Sequence, residues 1–235
     1  MGLELYAKIE HLLEIEQSTQ DLHQIYVDLI KNYSVTKLLD IGCGRGLLMQ
    51  KLSHLTCKGI DLSEVMVNAA KDNGLDVTCK DISDVDETFD IALAVFDVLN
   101  FLDEDSLDNF FLHVSRILNE DGIFIADINT LHGFSNVAEG VMLTQDENLF
   151  LGVDAIFESP LLHTKFTLFE KRRDGLFSKE SDIITQYFHP LSFFKKQRHL
   201  QFVEKRNISL YDKNDKVLLV FKRSHNNAIV ASLLF

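Results

Sequence analysis

The chain has no tryptophan, only two prolines, and three cysteines among its 235 residues. Cys43, Cys57 and Cys79 are odd in number and form no C-x-x-C pair, which excludes a disulfide framework and a zinc-binding knuckle. Free thiols of this kind suit a reducing compartment, so a cytoplasmic location is expected. Basic residues are also scarce. Lys and Arg total 23 against 36 Asp and Glu, a formal net charge of −13. Nonspecific binding to nucleic acid or an anionic membrane needs a basic surface, so both partners are excluded on this reading. Long apolar runs are missing as well. The best candidates, 91–95 and 217–221, are strand length, far below the roughly 20 residues of a membrane span. The N-terminus is acidic and amphipathic (Leu3, Leu5, Ile9, Leu12, Leu13), unlike a signal peptide.

What is present is apolar and periodic. Hydrophobic residues make up 46% of the chain, and 18 of them are Phe, enough for one sizeable core. Residues 3–32 carry apolar positions at three- and four-residue steps and predict a helix. The period then changes. Strands are expected at 37–41, 58–61, 75–79, 89–95 and 123–128. Helices are expected between them, one capped by Ser63 and ended by Asn73-Gly74, another over 105–118. Five strands alternating with helices predict a parallel sheet covered on both faces.

After Asn129 the rhythm breaks. Strands are expected at 149–157, 163–171 and 182–188, with a turn at Lys171–Gly175. A short helix begins at Pro190, and a last hairpin joins 202–211 to 216–222. The expected fold is therefore α/β: a Rossmann-like, mostly parallel seven-stranded sheet, with a small antiparallel β insert after strand five. Residues 1–130 and 190–223 form the core on this reading, 131–189 the insert, and 224–235 a tail. Monomer and homodimer are both compatible with it.

Glycines at 42, 44 and 46 directly follow the first strand. Such a turn lets backbone approach a ligand closely and leads into a helix N-terminus. The spacing is tighter than the G-x-G-x-x-G of dinucleotide binders. Asp61 ends the second strand 21 residues after Asp40, where a carboxylate can accept both hydroxyls of a ribose. Asp81 follows the third strand 20 residues later, where it can accept an exocyclic amine. Each Asp alone reads as an ordinary turn or cap residue. Together they converge on the crevice at the carboxyl ends of the strands, where open α/β sheets bind ligands.

These segments, Asp40-x-Gly42-x-Gly44-x-Gly46, Gly59-Ile60-Asp61-Leu62-Ser63-x-x-Met66 and Cys79-Lys80-Asp81-Ile82, resemble the successive cofactor motifs of class I S-adenosylmethionine (SAM)-dependent methyltransferases. The resemblance covers about residues 36–128. It implies that Asp40, Gly42, Cys43 and Gly44 hold the methionine part of SAM, Asp61 its ribose, and Leu62, Met66, Asp81 and Ile82 its adenine. Tyr6 on the first helix is expected to lid the cofactor, although core packing reads equally well. Arg45 receives no role. Phe96-Asp97-Val98-Leu99-Asn100-Phe101-Leu102 resembles the F-D-S-L-N-Y-L segment of a bacterial small-molecule subgroup, as does Asp127-Ile128-Asn129-Thr130 its D-[LI]-N-[ST]. Phe96 is accordingly assigned to the cofactor.

The resemblance implies transfer of a methyl group to a small-molecule nitrogen or oxygen, with S-adenosylhomocysteine (SAH) as product. The candidate catalytic residues are Asp97, Asn100 and His132, with His163 and His189 behind them. Asp97 is placed to stabilise the sulfonium or orient an acceptor, and equally to cap the segment beginning there. Phe157, Phe166 and Tyr187 are candidates for an acceptor pocket or for packing the insert. Two other readings stay open: a SAM/SAH-binding protein without catalysis, and a NAD-dependent dehydrogenase. No N-P-P-Y-like tetrapeptide of amino-methylating DNA enzymes follows strand four, and no metal site is expected.

Overall fold

A strand flanked by neighbours on both edges and covered on both faces needs apolar side chains, and β1 (Lys37–Ile41) has them after its first residue at every position but Asp40. The computed structural model describes residues 2–13 and 15–223, so the expected tail at 224–235 lies outside the described residues. β1 pairs in parallel with β2 (Thr56–Asp61) on one side and β4 (Phe89–Ala94) on the other. β3 (Val77–Cys79) and β5 (Leu118–Asn129) extend these wings, both parallel. β10 (Leu200–Ile208) and β11 (Lys216–Arg223) form an antiparallel hairpin, and β11 pairs antiparallel with β5. The order is β10-β11-β5-β4-β1-β2-β3, which confirms the expected mostly parallel seven-stranded sheet. The chain runs outward from β1 to β3 one way and from β4 to β5 the other. The crevice between the carboxyl ends of β1 and β4 is thus the switch point of the sheet.

Helices cover both faces. α2 (Glu16–Ile30) and α3 (Leu47–Lys51) bury Leu22, Tyr26, Leu29 and Leu48 against one. α5 (Glu104–Ile117) and α6 (Leu191–Lys196) lie on the other, where the phenylalanines concentrate. Phe111 meets Phe221 with ring centroids 5.2 Å apart, and Phe124 stacks on Phe221 at 5.9 Å. Each of these three rings is fully buried, an environment that stabilises by about 1.5–3 kcal/mol per side chain. α4 (Glu64–Asp72) starts as expected, with the Ser63 hydroxyl accepting the N–H of Met66 at 3.2 Å.

Three features differ most from the sequence reading. The single helix expected over 3–32 is two: α1 (Leu3–Ile9), continued by a tight turn over Glu10–Leu12, and then α2. The reason is that they pack on different surfaces. Leu5 and Ile9 of α1 lie on the insert, whereas Leu22, Tyr26 and Leu29 of α2 lie on the main sheet. β5 begins at Leu118, before the expected turn. Asp121, with φ 65°, and Gly122 form an irregularity inside the strand. The insert holds four antiparallel strands rather than three: β6 (Gly140–Gln145), β7 (Leu149–Glu158), β8 (Leu161–Lys171) and β9 (Phe177–Tyr187). β6 escaped because Val141 and Leu143 are apolar yet face outward, so its alternation is blurred.

Among the described residues, no helix is long and apolar enough to cross a membrane.

Candidate functional site

The turn after β1 is held by the strand beside it. Gly42 and Cys43 donate their N–H groups to the Ile60 carbonyl at 2.8 and 3.1 Å. All three glycines have positive φ, and a Cβ on Gly42 would lie 2.8 Å from Val98 Cγ2. Gly44 is different. At φ +53° it has nothing within 4 Å of the space a Cβ would fill, so the turn presents a bare backbone surface to the crevice. Asp61 fixes that surface, because its Oδ2 accepts the Gly44 N–H at 2.8 Å and its Oδ1 that of Ser63 at 2.9 Å.

A single cavity of about 690 Å3 runs from this turn to the inner face of the insert. All eleven residues assigned to the cofactor line it: Tyr6, Asp40, Gly42, Cys43, Gly44, Asp61, Leu62, Met66, Asp81, Ile82 and Phe96. The volume lies inside the range of small-molecule sites, roughly 300–1,000 Å3. Asp40 is buried, and burial together with the neighbouring Asp61 charge pushes its carboxyl up to about 7. Asp81 uses one oxygen on the Ser83 N–H at 2.9 Å, the cap reading, and still borders the cavity with the rest of its carboxylate. Leu62 is exposed beside it and Met66 is buried, an apolar bed suited to a flat ring. The open face of Gly44, the ribose-type carboxylate and this bed fit an adenosyl group.

The candidate catalytic residues separate. Asp97 lines the cavity. Its carboxylate accepts from Asn129 Nδ2 at 2.9 Å and from Lys216 Nζ, and it makes no side-chain cap. Asn100 does not line the cavity. It is fully buried, and its amide ties the 98–101 turn to the insert, donating to the Tyr187 carbonyl at 2.8 Å and accepting the Asn129 N–H at 3.0 Å. His132 also lies outside the cavity wall, paired on the surface with Asp212 at 2.8 Å and Asn136 at 3.2 Å. His163 sits on the outer face of β8, bonded to the Thr185 hydroxyl at 3.0 Å. His189 is buried, its Nε2 2.8 Å from the Leu102 carbonyl oxygen, and burial lowers its pKa. Phe166 borders the cavity edge-on to Tyr6, with centroids 6.1 Å apart. Phe157 packs on Phe134, and Tyr187 stacks on His189.

Residues that sequence reasoning missed complete the site. Lys216 is almost wholly buried, with Nζ bonded to Asp97 and 3.3 Å from Asp127. Asp127 is fully buried and accepts from Tyr26 Oη at 2.8 Å, Phe96 N at 2.9 Å and Asp97 N at 3.3 Å. Phe96 and Asp97 have φ near 61° and 62°, a conformation that costs non-glycine residues about 1–3 kcal/mol each unless the surroundings hold it. The Asp127 carboxylate is the holder. His23 lines the cavity edge-on to Phe96, and burial, with the Lys51 charge, pushes its pKa down to about 4, so it is neutral. Arg45, given no role above, reaches from the glycine turn to Glu10 at 3.0 Å and the Ala7 carbonyl at 2.7 Å, pinning α1 over the crevice. A lone charge in the otherwise apolar stretch 123–128, within the Asp127–Thr130 motif, was the available signal for Asp127. Its partner emerges only from strand order.

Residues 38–122 match the family model described as a methyltransferase domain. A protein of Geobacillus sp. (strain WCH70), provisionally named a methyltransferase, is 24% identical over 173 residues, 68% of this chain and 70% of its own length. A ubiquinone biosynthesis O-methyltransferase of Mesorhizobium japonicum is 32% identical over 105 residues, 40% of this chain and 41% of that protein. The crystal structure of a SAM-dependent methyltransferase from Clostridium acetobutylicum superposes with a TM-score of 0.76 at 22% identity, covering 93% of this chain and 98% of that one. The sugar N-methyltransferase KedS8 from Streptoalloteichus superposes at 0.73 with 15% identity, over 95% and 93%. At these identities the two structures show the fold. The matched residues and the cavity built at the strand ends define the class: residues 38–122 form a methyltransferase domain.

Proposed function

We propose that the enzyme methylates an amine nitrogen of a small molecule held between the core and the insert. The observation that carries this reading is the charge of the cavity wall. Among the described residues its carboxylates and strong bases are Glu10, Asp40, Asp61, Asp81, Asp97 and Glu139 against Arg45 and Lys80; Arg45 is already paired with Glu10, and Asp97 with Lys216 behind the wall. An acidic cavity attracts an amine, which is cationic in water, more than a neutral hydroxyl. The division at residues 131–189 fits the same reading, because Met142, Val153, Ala155, Thr164, Phe166 and Ile184 of the insert form the wall opposite the core. The names of the sugar N-methyltransferase and of an amino pentose methyltransferase among the similar structures agree with an amino acceptor.

Bound SAM supplies an electrophilic methyl group on a sulfonium, open to in-line displacement. The chain supplies alignment and electrostatics. Asp61 takes the ribose hydroxyls with the lone pairs its two backbone bonds leave, and Asp81 and Ile82 take the adenine edge. Asp40 and the turn at Gly42–Gly44 take the methionine part, under Tyr6. Asp97 orients the acceptor nitrogen, and the neutral His23 offers a hydrogen-bond acceptor on the neighbouring wall. Asn100 acts at one remove, fixing the 98–101 turn to the insert.

The test is turnover of SAM with paired acceptors, amino sugars against the same sugars bearing hydroxyls, followed by mass spectrometry. Methylation of the amine set alone is expected. Methylation confined to hydroxyls would replace this reading with O-methylation. SAH binding without turnover of any acceptor would favour the non-catalytic protein, and NADH binding in its place the dehydrogenase.

A further inference from the structure

Two buried carboxylates side by side ordinarily hold one proton between them, because both cannot ionise in a dry site. Asp97 and Asp127 are such a pair. Asp127 belongs to β5, Asp97 to the strained loop after β4, and Lys216 of β11 lies against both. The ammonium also lies 5.8 Å from the centre of the Phe96 ring, so it is enclosed by two carboxylates and a π face. An unpaired buried ammonium is costly, and this one is 2% exposed. The arrangement is asymmetric. Asp127 is fully buried behind the loop, whereas Asp97 keeps about 15% of its side chain exposed and borders the cavity. The other groups near Asp97 are neutral at pH 7. Tyr26 of α2, Tyr6 of α1 and Tyr211 of the β10–β11 loop all have pKa values raised, chiefly by burial. His23 of α2 is neutral too. Asp40, near the end of β1, lines the same cavity, as do Glu10, Asp61, Asp81, Glu139, Arg45 and Lys80.

We propose that Lys216 is a positioning residue that keeps Asp97 ionised, giving the cavity wall a negative charge that favours cationic SAM over the neutral product SAH. Lys216 touches no part of the cavity itself, because it acts through Asp97 and from behind Phe96. One ammonium between two carboxylates leaves one net negative charge on the cluster, and Asp97 is the member that faces the ligand space. After methyl transfer the ligand's positive charge is gone, and the wall that held it no longer holds the product as tightly. The proposal goes beyond the acceptor reading and depends only on SAM binding.

The experiment titrates wild type, Lys216→Met, Asp97→Asn and the double variant with SAM and with SAH by calorimetry between pH 6 and 9. The Asp97 carboxyl carbon is followed by 13C NMR over the same range. Wild type should prefer SAM by about tenfold or more at pH 7.5, the scale of one partly screened charge in a cavity. Lys216→Met should lose most of that preference at pH 7.5 and recover it toward pH 9, as Asp97 gives up its proton. Its SAH affinity should change less than twofold. Asp97→Asn should lose the preference at every pH, and the double variant should be no worse than Asp97→Asn alone. An unchanged SAM/SAH ratio and an unchanged Asp97 titration in Lys216→Met would overturn the proposal. Should that variant not fold, wild type decides: an Asp97 carboxyl found protonated at pH 7.5 overturns it, and an ionised one supports it. If wild type binds neither ligand, the cofactor assignment fails, while the carboxyl titration still judges Lys216.

Discussion

The Asp61 carboxylate holds the Gly44 backbone N–H at 2.8 Å, so the acid at the end of β2 and the turn after β1 are one unit. Replacing Asp61 with Ala removes a ribose partner and loosens the turn together. Cofactor affinity should fall by about 1.5–3 kcal/mol, the range for a hydrogen bond to a charged group. Calorimetric titration with SAH reads this directly. Wild-type affinity in the variant would remove Asp61 from the site.

Gly44→Ala tests the bare face of the same turn. The new methyl meets nothing in the ligand-free protein, so the stability loss should be only the left-handed backbone cost, about 1–2 kcal/mol. SAH affinity should fall by about tenfold or more, equivalent to about 1.4 kcal/mol, because the methyl enters the ligand's space. Unfolding midpoints and titrations separate the two effects. Loss of stability with full affinity would mean the cofactor does not approach Gly44.

Asp40 gives the site a pH signature. Its carboxyl has a pKa raised from 3.8 to about 7 by burial and the Asp61 charge, so the folded chain without ligand holds a proton that the unfolded chain releases. The associated stability is complete below about pH 4 and is lost as pH rises through about 7. Asp40→Asn should therefore raise the melting temperature at pH 8 and leave it nearly unchanged at pH 4. A cationic ligand reverses the balance. SAM binding at pH 6 should expel a fraction of a proton, seen as a buffer-dependent binding enthalpy that Asp40→Asn abolishes.

Tyr26→Phe keeps the buried ring and deletes the hydroxyl that Asp127 accepts at 2.8 Å. The loss should be about 1.5–3 kcal/mol of stability, measured as a lower urea midpoint at unchanged slope. A neutral outcome would mean that the backbone N–H groups of Phe96 and Asp97 suffice to satisfy Asp127.

The end of the cavity around the glycine turn was legible in the sequence because its information is local. Asp40, Asp61 and Asp81 each end or follow a strand, and strand ends in a parallel sheet meet by construction. The end around Asp97 was not, for three physical reasons. Asp127 and Lys216 meet through the antiparallel pairing of β5 with β11, a register that no local pattern encodes. Asn100 sits in a recognisable segment, yet whether its amide faces ligand or protein depends on the backbone of Tyr187 and Asn129. α1 and α2 share one helical period, and the break between them follows from the two sheets they cover rather than from a glycine or proline.

The Lys216 contacts span 119 residues to Asp97 and 89 to Asp127, and they come from the last described strand. A nascent chain can form the glycine turn, Asp61 and Asp81 long before it has made β11. Until β11 docks on β5, Asp127 lacks its counter-charge and the strained loop at Phe96–Asp97 lacks its full support. Such a late, long-range step is slow to form. The glycine turn and its carboxylates thus sit on strands made early in synthesis, and the counter-charge behind the cavity wall sits on the last of those described.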